Sequence, residues 1–531
     1  MTTDENSTVA TDQSSDTGST ATEVESVSSM EDSSAGETKP VAPPSKENQE
    51  LAEKKKNEAN KILATGDYQR VVKMYSEAID LDPTKEIYWA NRSYAYIKDE
   101  LYGAAVVDAT QAIKLNPDYV KSYYRRATAY AALLRPKDAL ADFNTVVQRV
   151  PGDKVVRAKR DECQKLIRRL AFEAAIKVAD EPSVADTIDY ESMVVEDGYD
   201  GARLESETEK TADGRHPKLV MTLDFIKQMI ARFKDGKRLH RKYVFAIILE
   251  AMKIFKSDPT MVEVDVMPGH KISVCGDTHG QFYDVLELFR LNGEPSETHS
   301  YLFNGDFVDR GSWSTEVALL FFSYKWLYPK SFFMNRGNHE ADDMNKVYGF
   351  EGECKAKYSE KIFKVFSESF STMPLATLIG NNYFVLHGGL FSDDNITLDD
   401  VRKFNRFSQK QPGQSGIMME MLWTDPQPEP GRGPSKRGIG LQFGPDITKR
   451  FCEKNKLMAV IRSHEVRMGG YEIEHGGRLI TVFSAPNYCD SQGNKGAVIN
   501  IESDYELHFV TYDAVPHPKI APMAYASNLM S

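Results

Sequence analysis

The chain has 531 residues, 41% hydrophobic and 27% charged, which is ordinary globular composition at a length that accommodates two or three domains. Its formal net charge of −12 is the wrong sign for general nucleic-acid binding, which depends on neutralising backbone phosphates. No apolar run approaches the roughly 18 residues of a membrane span, no leader pattern opens the chain, and five scattered cysteines (Cys163, Cys275, Cys354, Cys452, Cys489) make no CxxC pair; a reducing cytoplasmic and nuclear setting, without disulfides or a thiolate zinc site, is expected.

Residues 1–50 are Ser, Thr, Asp and Glu with almost no large apolar side chain, so they are expected to be a disordered acidic tail. Over 51–153 the pattern turns helical, and Pro83, Pro117 and Pro151 stand 34 residues apart. In that register Ala59, Ser93 and Ala127 share one slot, Ala78, Ala112 and Val146 another, and Tyr75 and Phe143 a third in which the middle repeat has Ala109. Small residues let paired helices approach while a ring fills the gap between repeats, and the period is that of tetratricopeptide repeats. Three repeats are expected, then a capping helix over 154–179, a linker over 180–215, and helices at Thr222–Phe233 and Lys242–Phe255 that open a catalytic domain of 216–531.

The same device then recurs along that domain: a short apolar strand, a glycine, then a carboxylate, imidazole or amide at the strand's C-terminal end, where open α/β sheets place their ligands. Ile272–Cys275 leads into Gly276-Asp277-Thr278-His279-Gly280; Ser300–Phe303 into Gly305-Asp306-Phe307-Val308-Asp309-Arg310-Gly311; Ser331–Met334 into Arg336-Gly337-Asn338-His339-Glu340. Tyr383–Leu386 runs into His387-Gly388-Gly389, and Met458–Ile461 into Arg462-Ser463-His464-Glu465. His475-Gly476-Gly477 imitates His387-Gly388-Gly389 but follows no comparable strand and is read as structural, and Cys489 is read as a bystander.

These motifs resemble the phosphoprotein phosphatase family of binuclear metallophosphoesterases (GDxHG, GDxxDRG, GNHE and two later histidines), in particular its branch with tetratricopeptide repeats in front. The resemblance implies an all-α solenoid followed by an α/β metallophosphatase domain, a central β-sandwich flanked by helices. It implies a monomeric enzyme that hydrolyses phosphoserine and phosphothreonine on phosphoproteins by direct attack of a metal-bridging hydroxide. Asp277, His279 and Asp306 would hold one divalent ion and Asp306, Asn338, His387 and His464 the other; such donors suit manganese, iron or zinc, with magnesium also admissible. Arg310 and Arg406 would bind the phosphate, His339 would protonate the leaving oxygen with Asp309 fixing its ring, and Tyr488 would touch the substrate.

On the repeats, Lys56, Asn60, Asn91, Lys121 and Arg125 match positions with which related repeats grip the C-terminal carboxylates of the ninety-kilodalton heat-shock chaperone. Glu100 matches a residue that helps the repeats close over the catalytic cleft and restrain it. Two other functions compete: a co-chaperone adaptor with a dead catalytic domain, and a related binuclear site that cleaves nucleotides.

Overall fold

The computed structural model describes residues 43–176, 183–206, 218–521 and 523–527; the acidic tail as far as residue 42, the last three residues of the expected capping helix, parts of the linker, residues 216, 217 and 522, and the last four residues lie outside them. Helix α1 (Lys46–Ile62) begins ahead of the expected repeat boundary because the Ser45 hydroxyl accepts from Asn48 N at 3.1 Å and caps it. It pairs with α2 (Tyr68–Leu81); α3 (Glu86–Lys98) pairs with α4 (Tyr102–Leu115), α5 (Val120–Ala132) with α6 (Pro136–Arg149), and α7 (Lys154–Ile176) packs on α6. Ala59, Ser93, Ala127, Tyr75, Ala109 and Phe143 are fully buried. A bidentate ion pair also repeats at the same spacing: Arg92 to Asp108 at 2.7 and 2.8 Å, and Arg126 to Asp142 at 2.7 and 2.9 Å. Arg92 reaches on to Ser76 Oγ and Arg126 to Thr110 Oγ1, so each guanidinium ties its repeat to the one before. Truncating one partner of such a buried pair costs about 3–5 kcal/mol.

The linker is a docked strap over 183–206 rather than a free tether. Glu368 accepts from Ser183 Oγ and from the Val184 and Ala185 amides, Tyr190 donates to Glu250 at 2.7 Å, and Val184, Ile188, Met193 and Tyr199 pack against the catalytic core. Helices α8 (Leu223–Lys234) and α9 (Arg241–Ser257) follow; α9 is buried on every face from Tyr243 to Met252, as a core helix must be.

Two sheets form the centre of this domain. Its longer strands, in chain order, are β1 (Met261–Val264), β2 (Lys271–Cys275), β3 (His299–Asn304), β4 (Phe332–Asn335), β5 (Ala376–Ile379), β6 (Tyr383–Leu386), β7 (Ala459–Arg462), β8 (Tyr471–Glu474), β9 (Leu479–Val482), β10 (Gly496–Ile501) and β11 (Leu507–Tyr512). The six-stranded sheet runs β8-β9-β7-β6-β5-β1 and the five-stranded sheet β11-β10-β2-β3-β4. Their inner faces meet in one apolar layer, with Ile272, Val274 and Leu302 against Val385, Ile461 and Val482, which is the expected β-sandwich. Helices α10 (Phe282–Asn292), α11 (Ser314–Leu327), α12 (Asp342–Tyr348), α13 (Phe350–Lys357) and α14 (Glu360–Phe370) flank it. Ser45–Ser531 is a single compact unit.

Candidate active site and metal centre

The parallel trio β2, β3 and β4 ends at one rim of its sheet, and the parallel pair β6 and β7 at the facing rim of the other. Buried amides lock the two rims together: Asn304 Nδ2 donates to Leu386 O and to Ser463 Oγ at 2.7 and 2.9 Å, and Asn335 Nδ2 to Asn304 Oδ1 at 2.8 Å. All the strand-end ligands predicted from the motifs therefore converge. His387 Nε2 lies 2.9 Å from Asn338 Oδ1, 3.1 Å from His464 Nδ1 and 3.2 Å from Asp306 Oδ2. On the other side of Asp306, His279 Nε2 is 3.6 Å from Asp277 Oδ2 and 3.8 Å from Asp306 Oδ2. One carboxylate oxygen is thus common to both groups.

Hydrogen bonds fix which atoms face inward. His387 Nδ1 donates to Asn304 O at 2.8 Å and His279 Nδ1 to Val308 O at 3.0 Å, so both Nε2 atoms point at carboxylate and amide oxygens. So many Lewis bases gathered in a buried space repel one another unless positive charge lies among them. The neighbouring charges act in the same sense: burial alone would lower the His279 imidazole, but Asp277 and Asp306 outweigh it and hold it up to about 9. Burial likewise works against ionised Asp306, yet His387, His339 and His279 keep it below the usual carboxylate range. His464 is driven the other way by burial and by Arg437, well below the ordinary imidazole value, and its Nε2 has no hydrogen-bond partner among the described residues. The donor set of carboxylate, imidazole and amide fits two divalent cations sharing Asp306.

The backbone is distorted to achieve this. His279, Asp306, Asp309, Arg310 and His464 have φ of 39°, 50°, 68°, 68° and 74°, left-handed values that cost on the order of 1 kcal/mol or more each in residues with a Cβ. Gly337 must be glycine for a different reason: a Cβ there would stand 2.2 Å from Asp306 Oδ1. Glu340, the last residue of the GNHE motif and given no role in the sequence reading, holds the turn by accepting from the Asp306, Phe307 and Gly337 amides at 2.8, 3.0 and 2.8 Å. Burial and the adjacent Asp306 push its carboxyl up to about 8.

His339 lies beside this cluster with its ring edge-on to His279, centroids 4.8 Å apart. Its Nδ1 is bonded to Asp309 Oδ2 at 2.9 Å. Arg310, over the ring of Tyr348 at 4.0 Å, pairs with Glu100 of the repeats at 2.7 Å. Tyr488 is buried beside His279 and also meets Glu100, at 3.2 Å.

Arg406 is not in the site, contrary to expectation. Its guanidinium is 1% exposed and donates to Phe255 O and Asp258 O, both at 2.6 Å, to Thr372 O at 2.9 Å and to Thr260 Oγ1 at 3.1 Å. Two of these bonds cap carbonyls at the C-terminal end of α9, a role a buried cation fills well, and four of the five guanidinium N–H groups are committed away from the cleft. Arg437 stands in its place. It lines a cleft of about 290 Å³ together with Asp277, His279, Asp306, His339 and His464. Asp425 holds its Nε at 2.6 Å and His464 O accepts from its Nη2 at 2.8 Å. The only sequence trace of it is a cation before a glycine, Ser435-Lys436-Arg437-Gly438, between two short strands.

His475 is structural, bonded to Thr448 Oγ1 at 2.7 Å and Gln427 O at 3.0 Å, and burial pushes the Cys489 thiol up to about 12, far from a thiolate nucleophile. In the repeats, Arg125 reaches Asn91 Oδ1 at 3.3 Å and lies over Tyr94. Asn60 accepts from Tyr75 at 2.6 Å, Lys56 pairs with Glu53, and Lys121 is exposed one turn before Arg125. No helix among the described residues is long and apolar enough to cross a membrane.

A two-sheet sandwich with a shared-carboxylate ligand cluster at its strand ends defines a metallophosphoesterase, and residues 270–468 match the calcineurin-like phosphoesterase family. Residues 87–119 match the tetratricopeptide repeat, and 160–263, which runs from within α7 through the docked strap, α8 and α9, match the PPP5 TPR repeat region. The chain is 60% identical to serine/threonine-protein phosphatase T of Aspergillus oryzae over 90% of its own length and 98% of the relative's. It is 50% identical to human serine/threonine-protein phosphatase 5 over 90% and 94%. A solved Saccharomyces cerevisiae protein serine/threonine phosphatase with similarity to human PP5 shares 56% identity and a TM-score of 0.56, covering 57% of this chain and all of that one. The chain belongs to the serine/threonine-protein phosphatase 5/T family.

Proposed function

We propose that this chain is a repeat-restrained, chaperone-recruited protein phosphatase that cleaves phosphoserine and phosphothreonine esters with two divalent ions. The observation that carries the catalytic reading is the meeting of Asn338, His387 and His464 with Asp277 and His279 across one shared Asp306 oxygen. Asp277, His279 and Asp306 would hold one ion and Asp306, Asn338, His387 and His464 the other, as manganese, iron or zinc. Bound there, the ions supply Lewis acidity toward the phosphoryl oxygens and a nucleophilic water at neutral pH.

The rest is performed by the chain itself. Arg310 and Arg437 both line the cavity that borders Asn338 and His339 and would clamp phosphate oxygens through charge-assisted hydrogen bonds. With Nδ1 committed to Asp309, His339 presents Nε2 as the one ring atom able to deliver a proton to the departing serine or threonine oxygen. Tyr488 walls the cleft beside it. The discriminating assay is phosphate release in manganese from a phosphothreonine peptide against hydrolysis of a cyclic nucleotide. Turnover of the peptide alone is expected; turnover of the nucleotide alone would assign the site to a different phosphoesterase.

For the repeats, Arg125, Asn91, Asn60, Lys56 and Lys121 present cations and amides suited to carboxylates, which supports the C-terminal peptide of the ninety-kilodalton heat-shock chaperone as partner. Losing a hydrogen bond to a charged group costs about 1.5–3 kcal/mol, so Arg125→Ala is expected to weaken that peptide about 10- to 100-fold in a polarisation titration. Unchanged affinity would locate the peptide elsewhere. A cytoplasmic and nuclear setting and a monomeric state accompany this reading.

A further inference from the structure

Asn345 lies in α12, one turn beyond the ligand loop, and is fully buried. Its Nδ2 donates to Asp309 Oδ2 at 2.9 Å and to His339 O at 2.6 Å. The same Asp309 oxygen takes the bond from His339 Nδ1 at 2.9 Å, while Asp309 Oδ1 accepts from Phe350 N at 2.8 Å. A single amide nitrogen therefore grips both the backbone of the proton donor and the carboxylate that orients its ring. The opposite rotamer is excluded, because it would turn Oδ1 against a carboxylate and a carbonyl.

The two ends of this side chain are used unequally. Asn345 Oδ1 is buried without a partner among the described residues, whereas Asn335, equally buried, uses both ends: Nδ2 toward Asn304 and Oδ1 from Thr377. A position serving only stability would favour an apolar side chain over a half-satisfied amide. We infer that Asn345 is a positioning residue of the phosphatase reaction, holding the Asp309–His339 pair so that His339 Nε2 points at the leaving oxygen. The inference rests on the reading of His339 as proton donor.

Because a proton is needed only when the departing oxygen is a poor leaving group, the role has a signature that a loss of general structure lacks. The test uses the full chain in manganese, with Asn345→Leu and Asn345→Ser, each alone and combined with His339→Asn. For Asn345→Leu, kcat on a phosphothreonine peptide is expected to fall about tenfold with KM unchanged. Turnover of p-nitrophenyl phosphate, whose phenolate leaves unaided, should hold. In the His339→Asn background the second change should add nothing, as two residues acting through one proton transfer are not additive. Equal losses on both esters, a further loss in the His339→Asn background, or failure of both Asn345 variants to fold overturns the proposal. If His339→Asn itself affects both esters equally, the donor assignment fails and this inference with it. If His339→Asn shows the leaving-group dependence and Asn345→Leu does not, only the inference fails.

Discussion

Replacing His339 with Asn should lower kcat on a phosphothreonine peptide by about 10²- to 10⁴-fold, the range of a lost general acid, while the chain still binds two metal ions. The magnitude follows from the leaving group, since an alkoxide released without a proton is a very strong base and the barrier rises with it. The metal content is the decisive companion measurement. His339 falls within ligand reach of His279 and Asp306, so proximity alone would allow it to be a ligand. The bond from Nδ1 to Asp309 and the position of Asn338, not His339, against His387 argue otherwise. Elemental analysis that finds one ion lost in the variant would make His339 a ligand and leave the acid unassigned; two ions with full turnover would remove it from the chemistry.

What the sequence revealed of this site, and what it hid, divides along chain distance. Each ligand stands just after a short apolar strand and beside a glycine or serine, so strand, turn and chemistry are written within a few consecutive letters. The repeats were equally open, because the same small and aromatic slots recur at a fixed period and burial at those slots is what makes them recur. Arg406 and Arg437 show the limit. Both are arginines in irregular segments, and only the fold decides that one is spent on the α9 carbonyls while the other is held by Asp425 at the cleft. Asn345, and the role of Glu340 within its GNHE motif, escaped for a related reason: they act on another side chain's hydrogen bond and on backbone amides, which the letters alone do not announce. The strap over 183–206 read as a linker because its anchors, Tyr190 to Glu250 and Ser183 to Glu368, lie far apart in the chain.

Replacing Glu100 with Ala should raise the turnover of the full chain roughly 10- to 100-fold toward that of a chain beginning near His216. Glu100 stands two residues past the end of α3 with φ of 62° and brings a carboxylate to Arg310 at 2.7 Å and to the Tyr488 hydroxyl at 3.2 Å, where a substrate phosphate would need those same donors. The arginine is 5% exposed and its partner 20%, so removing the carboxylate leaves a buried cation uncompensated, a penalty of about 3–5 kcal/mol at most. That penalty falls only on the closed arrangement and so shifts the population toward an open one. Other contacts remain in place and keep the gain below the full shift. The Gly103 and Ala104 amides at the start of α4 donate to Arg437 O and Lys436 O at 3.1 and 2.8 Å, so the phosphatase loop caps a helix that has no side-chain cap of its own. Gly103 also meets Gly438 so closely that a Cβ would lie 2.5 Å from the Gly438 nitrogen. The C-terminal segment adds a bond from Ser527 N to Val347 O at 3.1 Å and the Tyr525 ring under Lys357 at 5.7 Å, and deleting Tyr525–Ser531 should release a smaller part of the same restraint. If Glu100→Ala and the truncated chain both turn over no faster than the full chain, the repeats do not restrain the site and the Glu100–Arg310 pair is only a structural contact. If the truncated chain is fast and Glu100→Ala is not, the restraint is carried by the backbone grip on the Arg437 loop, and Gly103→Val becomes the variant that should release it.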